Sequence, residues 1–503
     1  MAQGRIRRRI SAVETAVNSL GIGDSKDNND DKVNVKPAQP EGRRESVLVP
    51  PIVSITWVSA LMYLGTRPVN DDDTWWHLKV GEYLLHGGAF AGPDPWSPFA
   101  TRPFVLNQWL PEVVGFQAYD WFGLPAVAWL RCVAILLLFT AVLWCTRHVA
   151  DSIPALIIAM AAMFGAASGL GPRPQLVSYI ILAVWVGASW RTAEDLRPRW
   201  WLIPLTWVWA LSHGLWLTGI GIGAIVIAGL WLDRRVTWRG AAKLMIVPLA
   251  SLAACALTPV GPRLLLTPFE VSQIATEFVY EWQPTSVRAS PPAMMALVLV
   301  AGAVIGWIRS PEKTPWWKLG LAVASVVSIL AMLRTISVGA IIAAPLAASA
   351  LQSLRHSKPQ PLAPRSKRLW ALLLVTCAVI ALPITAAVAQ QPGGVPERLR
   401  TTLNAVPAGS VVFNDHSLSG WLLWREPKLV SVIDLRSEIF SRNYVQAYVR
   451  TSEVRPGWQD FLAETKPTYA LLRSESPLRL ALQEELHWVP LQTAQGFTVM
   501  RAP

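Results

Sequence analysis

The sequence predicts a polytopic α-helical membrane protein of about eleven spans, ending in a small extracytoplasmic α/β domain. Three observations lead there. Of 503 residues, 52% are hydrophobic and only 16% charged, against about a quarter charged in soluble domains. The apolar residues gather into windows of about twenty with almost no charge, the length that crosses a hydrocarbon core. After Ala389 this pattern gives way to short runs that alternate between strand and helix periods.

The chain opens with Arg5, Arg7, Arg8 and Arg9, passes through the weakly amphipathic Ile10, Val13, Val17 and Leu20, and turns polar over 23–32. Such a segment cannot bury a core, so 1–46 is expected as a mostly disordered cytoplasmic tail that touches anionic lipid. It has no cleavable signal pattern, and the first span is expected to direct insertion. Spans are expected at 47–66, 123–146, 153–170, 174–190, 200–215, 216–232, 242–258, 292–308, 317–333, 335–354 and 369–389, making 47–389 the membrane domain. The fifth and sixth share about thirty-three residues, and so require a tight hairpin near Ser212-His213-Gly214 or else form one bent helix.

Basic residues set the orientation. With the N-terminus inside, the loops at 191–199, 234–243, 309–318 and 355–368 are cytoplasmic and basic, whereas the longer outer loops hold few Lys or Arg. The positive-inside rule is then met by an odd number of spans, which places the C-terminus outside the plasma membrane. Trp, at 26 residues, collects at span ends as Trp75-Trp76, Trp200-Trp201 and Trp316-Trp317, as interfacial rings do. Cys132, Cys145, Cys255 and Cys377 lie in apolar segments without disulfide or zinc spacing. Two outer loops, 67–122 and 259–291, are longer than connectors need to be, and long ordered loops carry function. In the tail, strands are expected at 410–414, 429–433, 468–472 and 497–501, with helices at 417–424, 438–449 and 477–486, so 390–503 forms the soluble domain.

Just beyond the first span stands Asn70-Asp71-Asp72-Asp73-Thr74-Trp75-Trp76-His77-Leu78. Three carboxylates within one turn raise at least one pKa and suit a general base or a cation site, whereas a single Asp there would simply cap the helix that follows. The arrangement resembles the GT-C superfamily of membrane glycosyltransferases, which use polyprenyl-phosphate sugars and keep an acidic motif in the first outer loop. More narrowly, DxDxWWHLxxGxxLxxGG, then Pro93-Asp94-Pro95-Trp96-Ser97 and Asn107-Gln108-Trp109-Leu110-Pro111-Glu112, is similar to a group of bacterial glycosyltransferase-like membrane proteins. The similarity runs on through Arg173-Pro174-Gln175, His213-Gly214, Glu281-Trp282, Arg334-Thr335-Ile336 and Phe413-Asn414-Asp415. It departs from the protein O-mannosyltransferase pattern, which pairs Asp with Glu in that loop.

The resemblance implies an inverting transfer from a polyprenyl-phosphate sugar to an acceptor hydroxyl on a glycan, lipid or protein. Asp71 or Asp73 serves as base, and the other orients it or holds a cation. A phosphate leaving group needs positive charge, which Arg173 and Arg334 supply from the outer mouths of spans. Asp72, Trp76, His77, Asp94, Glu112, His213 and Glu281 are the further substrate-binding candidates, with Glu112 also placed to pair with Arg102. A divalent cation such as Mg, Mn or Ca would take Asp71, Asp73 and His77 as ligands. In the tail, Asn414, Asp415, Asp434 and Arg436 fall at strand ends, where α/β folds place ligand sites, and neither a phosphate loop nor a nucleophile elbow occurs.

Two other function classes compete: a lipid-linked glycan transporter or flippase, and a non-catalytic envelope-assembly protein. Coupled transporters bury ionisable groups mid-membrane and show repeated halves. Here the spans are nearly uncharged apart from Arg131, and no repeat is visible. The net charge of +12 comes without an aromatic-interleaved basic face, so nucleic acid is not an expected partner.

Overall fold

The computed structural model describes residues 49–355, 358–360 and 364–503, so the basic tail expected at 1–46 lies outside the described residues. Helices occupy the apolar stretches: Val49–Thr66, Leu124–Val149, Ser152–Gly165, Gln175–Asp195, Leu202–Ala210, Trp216–Leu232, Trp238–Cys255, Pro291–Arg309, Trp316–Ala331, Ile336–Ser353 and Pro364–Val388. By length and composition, Leu124–Val149, Gln175–Asp195, Pro291–Arg309, Leu333–Ser353 and Pro364–Val388 suffice to cross a membrane; Ile52–Thr66, Ser152–Gly165, Trp216–Leu232 and Trp316–Ala331 are shorter apolar helices. The expected span at 200–215 is not a full one. Leu202–Ala210 has nine residues, about 14 Å of helix, against a hydrocarbon core of about 30 Å. It stops because the Leu211 carbonyl is taken by the Leu110 amide at 3.1 Å and the Ser212 hydroxyl turns back to the Val208 carbonyl.

Small residues let the helices close on one another. A Cβ at Gly229 would lie 2.3 Å from the Trp317 backbone, and one at Gly165 would lie 2.8 Å from the Ala340 side chain. Ile336–Ser353, rich in Ala, is buried along nearly its whole length. It packs on Pro291–Arg309, Trp316–Ala331 and Ser152–Gly165.

Within 67–122, β1 (Ala91–Gly92) and β2 (Phe104–Val105) pair as a short antiparallel ribbon. The tail folds as a five-stranded sheet of β3 (Val411–Asn414), β4 (Val430–Ser431), β5 (Tyr469–Arg473), β6 (Val489–Ala494) and β7 (Phe497–Arg501), in the order β4-β3-β5-β7-β6. β3 runs parallel to β4 and β5, while β7 is antiparallel to β5 and β6. β3, β4, β5 and β7 fall where period-two alternation places them. β6 escapes that reading because it is an edge strand whose Val489 and Leu491 face outward.

The sheet does not have its core to itself. Val80, Phe104 and Leu106 of the first loop pack with Phe413, Ile433 and Phe440, and Trp75, Leu78 and Phe116 pack with Trp421, Leu422 and Leu471. Each such burial is worth about 1.5–3 kcal/mol. Two glycines allow the final approach. Gly394 has a φ of +75° and a Cβ there would sit 2.3 Å from the Asn70 Oδ1, while one at Gly420 would sit 2.9 Å from the Asp72 carbonyl. The Gly393 amide donates to the Val69 carbonyl at 2.8 Å. The aspartate loop is therefore wedged between the helices and the sheet.

Candidate functional site

The helix Thr74–Leu85 begins directly after Asp73, yet the Asp73 carboxylate does not cap it. It accepts from the Trp76 indole at 3.2 Å instead, while Asp71 turns back to accept from the Asp73 amide at 3.1 Å. Both carboxylates then meet Arg173. Its Nε donates to Asp71 Oδ2 at 2.8 Å, and its Nη1 lies 2.8 Å from Asp73 Oδ2 and donates to Glu281 Oε1 at 2.8 Å. Gly171 makes room, since a Cβ there would stand 2.9 Å from Asp71 Oδ2. Three segments remote in sequence thus converge on one guanidinium.

That convergence sets the charge states. Burial pushes Asp71 up to about 6 although Arg173 opposes it and Asp73 adds to it. Burial would raise Asp73 too, but Arg173, Arg334 and the hydrogen bond from Trp76 outweigh it and hold that carboxyl below its usual range. Asp72 is raised by burial and by Asp73. Arg173 is buried, yet Asp73, Asp71 and Glu281 keep it firmly charged.

Beside Arg173 opens a cavity of about 830 Å³, lined by Asp72, Asp73, Trp76, His77, Arg173, His213, Glu281 and Arg334 among others. Arg334 donates to His213 Nε2 at 2.9 Å and lies 5.5 Å from the centre of the Trp282 ring. No carboxylate forms an ion pair with Arg334 among the described residues. Asp71 sits behind Arg173 and does not border the cavity.

Asp94 and Glu112 stand elsewhere than expected. Asp94, its side chain fully buried, pairs with Arg436 at 2.5 Å, and Arg436 also pairs with Asp434. Glu112 does not meet Arg102, which borders the cavity, but binds His77 Nδ1 at 2.8 Å in the interior. Neither carboxylate is among the cavity-lining groups, because each is committed to a buried partner.

The soluble domain contributes His416, Leu435, Arg436 and Glu438 to the cavity wall. Burial lowers His416 and raises Glu438. Among the four strand-end candidates, Arg436 alone borders the cavity. Asn414 donates to the Ile433 carbonyl, and Asp415 binds the Ser417 amide and hydroxyl. Gln175, Arg263, His416 and Glu438 were not foreseen. Only the adjacency of Gln175 to Arg173, and of His416 to Asp415, offered a hint.

The residues as arranged do not make a divalent-cation site. Arg173 fills the focus of Asp71, Asp73 and Glu281, and His77 turns Nδ1 to Glu112. Among the described residues no three His, Cys, Asp or Glu side chains are grouped to hold a metal ion.

In overall structure the chain is similar to the oligosaccharyltransferase of Archaeoglobus fulgidus. Its apo form is 11% identical with a TM-score of 0.54, over 86% of this chain and 70% of that one. The form tethered to an acceptor peptide with an NVT sequon is 12% identical with a TM-score of 0.54, over 85% and 69%. The archaeal enzyme AglB with an inhibitory peptide and a dolichol-phosphate is 12% identical with a TM-score of 0.52, over 91% and 74%. The chain has the oligosaccharyltransferase fold. No protein-family model and no curated protein matches the sequence, so the likeness rests on architecture. It agrees with the GT-C-like fold implied by the aspartate loop. Segments of the α/β domain outside its strands, at His416 and at Leu435 to Glu438, form part of the cavity wall.

Proposed function

We propose that the protein is a GT-C-type glycosyltransferase that moves a sugar, with inversion, from a polyprenyl-phosphate donor to an acceptor hydroxyl at the outer face of the plasma membrane. The observation that carries this reading is the charge layout of the cavity. An ionised Asp73 stands on its wall, and Arg334, a cation without a carboxylate partner among the described residues, stands on the same wall backed by Trp282. Asp73 accepts the proton of the acceptor hydroxyl, and the acceptor oxygen bonds to the anomeric carbon. The bond from that carbon to the phosphate oxygen breaks, its electron pair staying on the lipid phosphate beside Arg334. Asp71 and Glu281 keep Arg173 in place, and Arg173 in turn aims Asp73 while adding positive charge. Trp76 offers a ring face to the sugar.

A lipid-linked donor is in keeping with the dolichol-phosphate bound to AglB, and an acceptor on a larger molecule is in keeping with the acceptor peptide tethered to the Archaeoglobus fulgidus oligosaccharyltransferase. For the present chain the acceptor hydroxyl belongs to a glycan, lipid or protein. We assign 47–389 to the membrane and 390–503 to the outside, the side that the basic loops favour when 202–210 and 216–232 enter the membrane together as a hairpin.

The test is to incubate purified protein with a panel of polyprenyl-phosphate sugars and follow release of lipid phosphate, with Asp71→Asn and Asp73→Asn as controls. Undiminished turnover in both variants removes the aspartates from the mechanism. Movement of lipid-linked glycan across vesicles without phosphate release would favour the flippase reading.

A further inference from the structure

Glu112 is a fully buried acid beside the cavity, and the mechanism above makes no use of it. Its side chain is 0% exposed. One oxygen lies 2.8 Å from His77 Nδ1, and the other, Oε2, has no hydrogen-bond partner in the protein. His77 borders the cavity, its ring tilted on Trp76 with centroids 4.0 Å apart. With Nδ1 occupied, only Nε2 is left for a ligand.

Three protonation patterns fit a 2.8 Å contact, and the surroundings decide among them. An imidazolium facing a carboxylate would gain from Glu112 and Asp73, but it would put a third cation beside Arg173 and Arg334 and leave a charged Oε2 dry and unbonded. A neutral imidazole donating Nδ1–H to a carboxylate would leave a charged oxygen dry and unbonded, and the pull of Arg436 does not offset its burial. Burying a charge in that way is costly. The third pattern keeps both groups neutral: the Glu112 carboxylic acid donates its O–H to Nδ1, and the imidazole proton sits on Nε2. Burial moves the two groups in the directions this requires, Glu112 well up and His77 down to about 3.

We propose that Glu112 is a protonated positioning residue that locks His77 in its Nε2–H tautomer, making His77 a neutral hydrogen-bond donor to an accepting oxygen of the cavity's ligand rather than a base. A phosphate has only acceptors at neutral pH, so the donor's phosphate or its glycosidic oxygen is the chemistry that this N–H recognises. The tautomer stands on the buried contact, the unbonded Oε2 and the charges around them, whereas its use in transfer rests on the glycosyltransferase reading.

The two parts are separated by experiment. Full-length protein labelled with 15N-histidine is reconstituted in lipid nanodiscs, and His77 is assigned by its loss in His77→Gln. Nδ1 is expected to be unprotonated and Nε2 protonated, without titration between about pH 5 and 8. A protonated Nδ1, in either neutral or imidazolium form, overturns the proposal. Glu112→Ala should let the tautomer mix, and Glu112→Gln, whose amide N–H donates to the same nitrogen, should restore it. In lipid-phosphate release, Glu112→Ala is expected to lower kcat by roughly 10–100-fold and Glu112→Gln to recover much of that loss. If wild-type protein releases no lipid phosphate from any donor, the transfer reading fails while the 15N spectrum still decides the tautomer.

Discussion

Asp71 and Asp73 stand two residues apart yet shift in opposite directions, because Asp71 faces the buried side of Arg173 while Asp73 also feels Arg334 and the Trp76 indole. Asp73→Asn is expected to cut lipid-phosphate release by about 10²–10⁴-fold, the usual yield of general-base catalysis; a loss below tenfold would place the base elsewhere. Asp71 acts through Arg173. As pH falls below about 6 its carboxylate protonates and its hold on Arg173 weakens, so release should rise with pH about a midpoint near 6, and Asp71→Asn should lack that limb. Stability runs the other way. A folded-state pKa raised from 3.8 favours the fold below 3.8, and this advantage is lost as pH climbs through about 6. The melting temperature of wild type relative to Asp71→Asn should therefore fall between about pH 4 and 7, as scanning fluorimetry would register. The acidic cluster was legible because its members adjoin in sequence. Its partner Arg173, 102 residues from Asp71, was legible only by chemical need. Asp94 turns the chain by accepting from the Trp96 and Ser97 amides, but nothing in Pro93-Asp94-Pro95 points to Arg436, 342 residues away.

Among the elements, the clamp between the first loop and the sheet carries the clearest energetic consequence. Arg436 bridges Asp94 and Asp434 in the interior and lies 4.7 Å from the centre of the Trp96 ring. Arg436→Met removes the cation and strands two buried carboxylates, a change that costs about 3–5 kcal/mol. Thermal unfolding should register it as a lowered transition, and an unchanged transition would mean that the pair is not buried in solution. Gly420→Ala tests the same seam by sterics, since its Cβ would press to 2.9 Å on the Asp72 carbonyl. Hydropathy located the helices well, because burial in lipid or protein demands the same apolar residues. It could not give the length of Leu202–Ala210, which depends on where the Leu211 carbonyl finds its partner, nor could alternation reveal an edge strand with outward Val489 and Leu491.

At the scale of the whole molecule, the short helix at 202–210 weakens any argument from counting crossings, but the shared cores replace it. Trp75, Val80 and Phe104 of the first loop are buried with residues of the sheet, so loop, cavity and soluble domain occupy one end of the helical bundle whatever the number of full crossings. For a lipid-linked donor, that end must be the face where the acceptor waits. The described cysteines, Cys132, Cys145, Cys255 and Cys377, are all buried, so one introduced thiol reports sidedness cleanly. Leu491, on the outer edge of β6 and 42% exposed, is the place for it. Leu491→Cys should react with a membrane-impermeant maleimide in sealed right-side-out vesicles, while wild type stays unlabelled. Labelling that appears only after the vesicles are opened would put the sheet in the cytoplasm and the aspartate loop with it. A donor presented on the outer leaflet would then be out of reach, and transfer would have to take place at the cytoplasmic face.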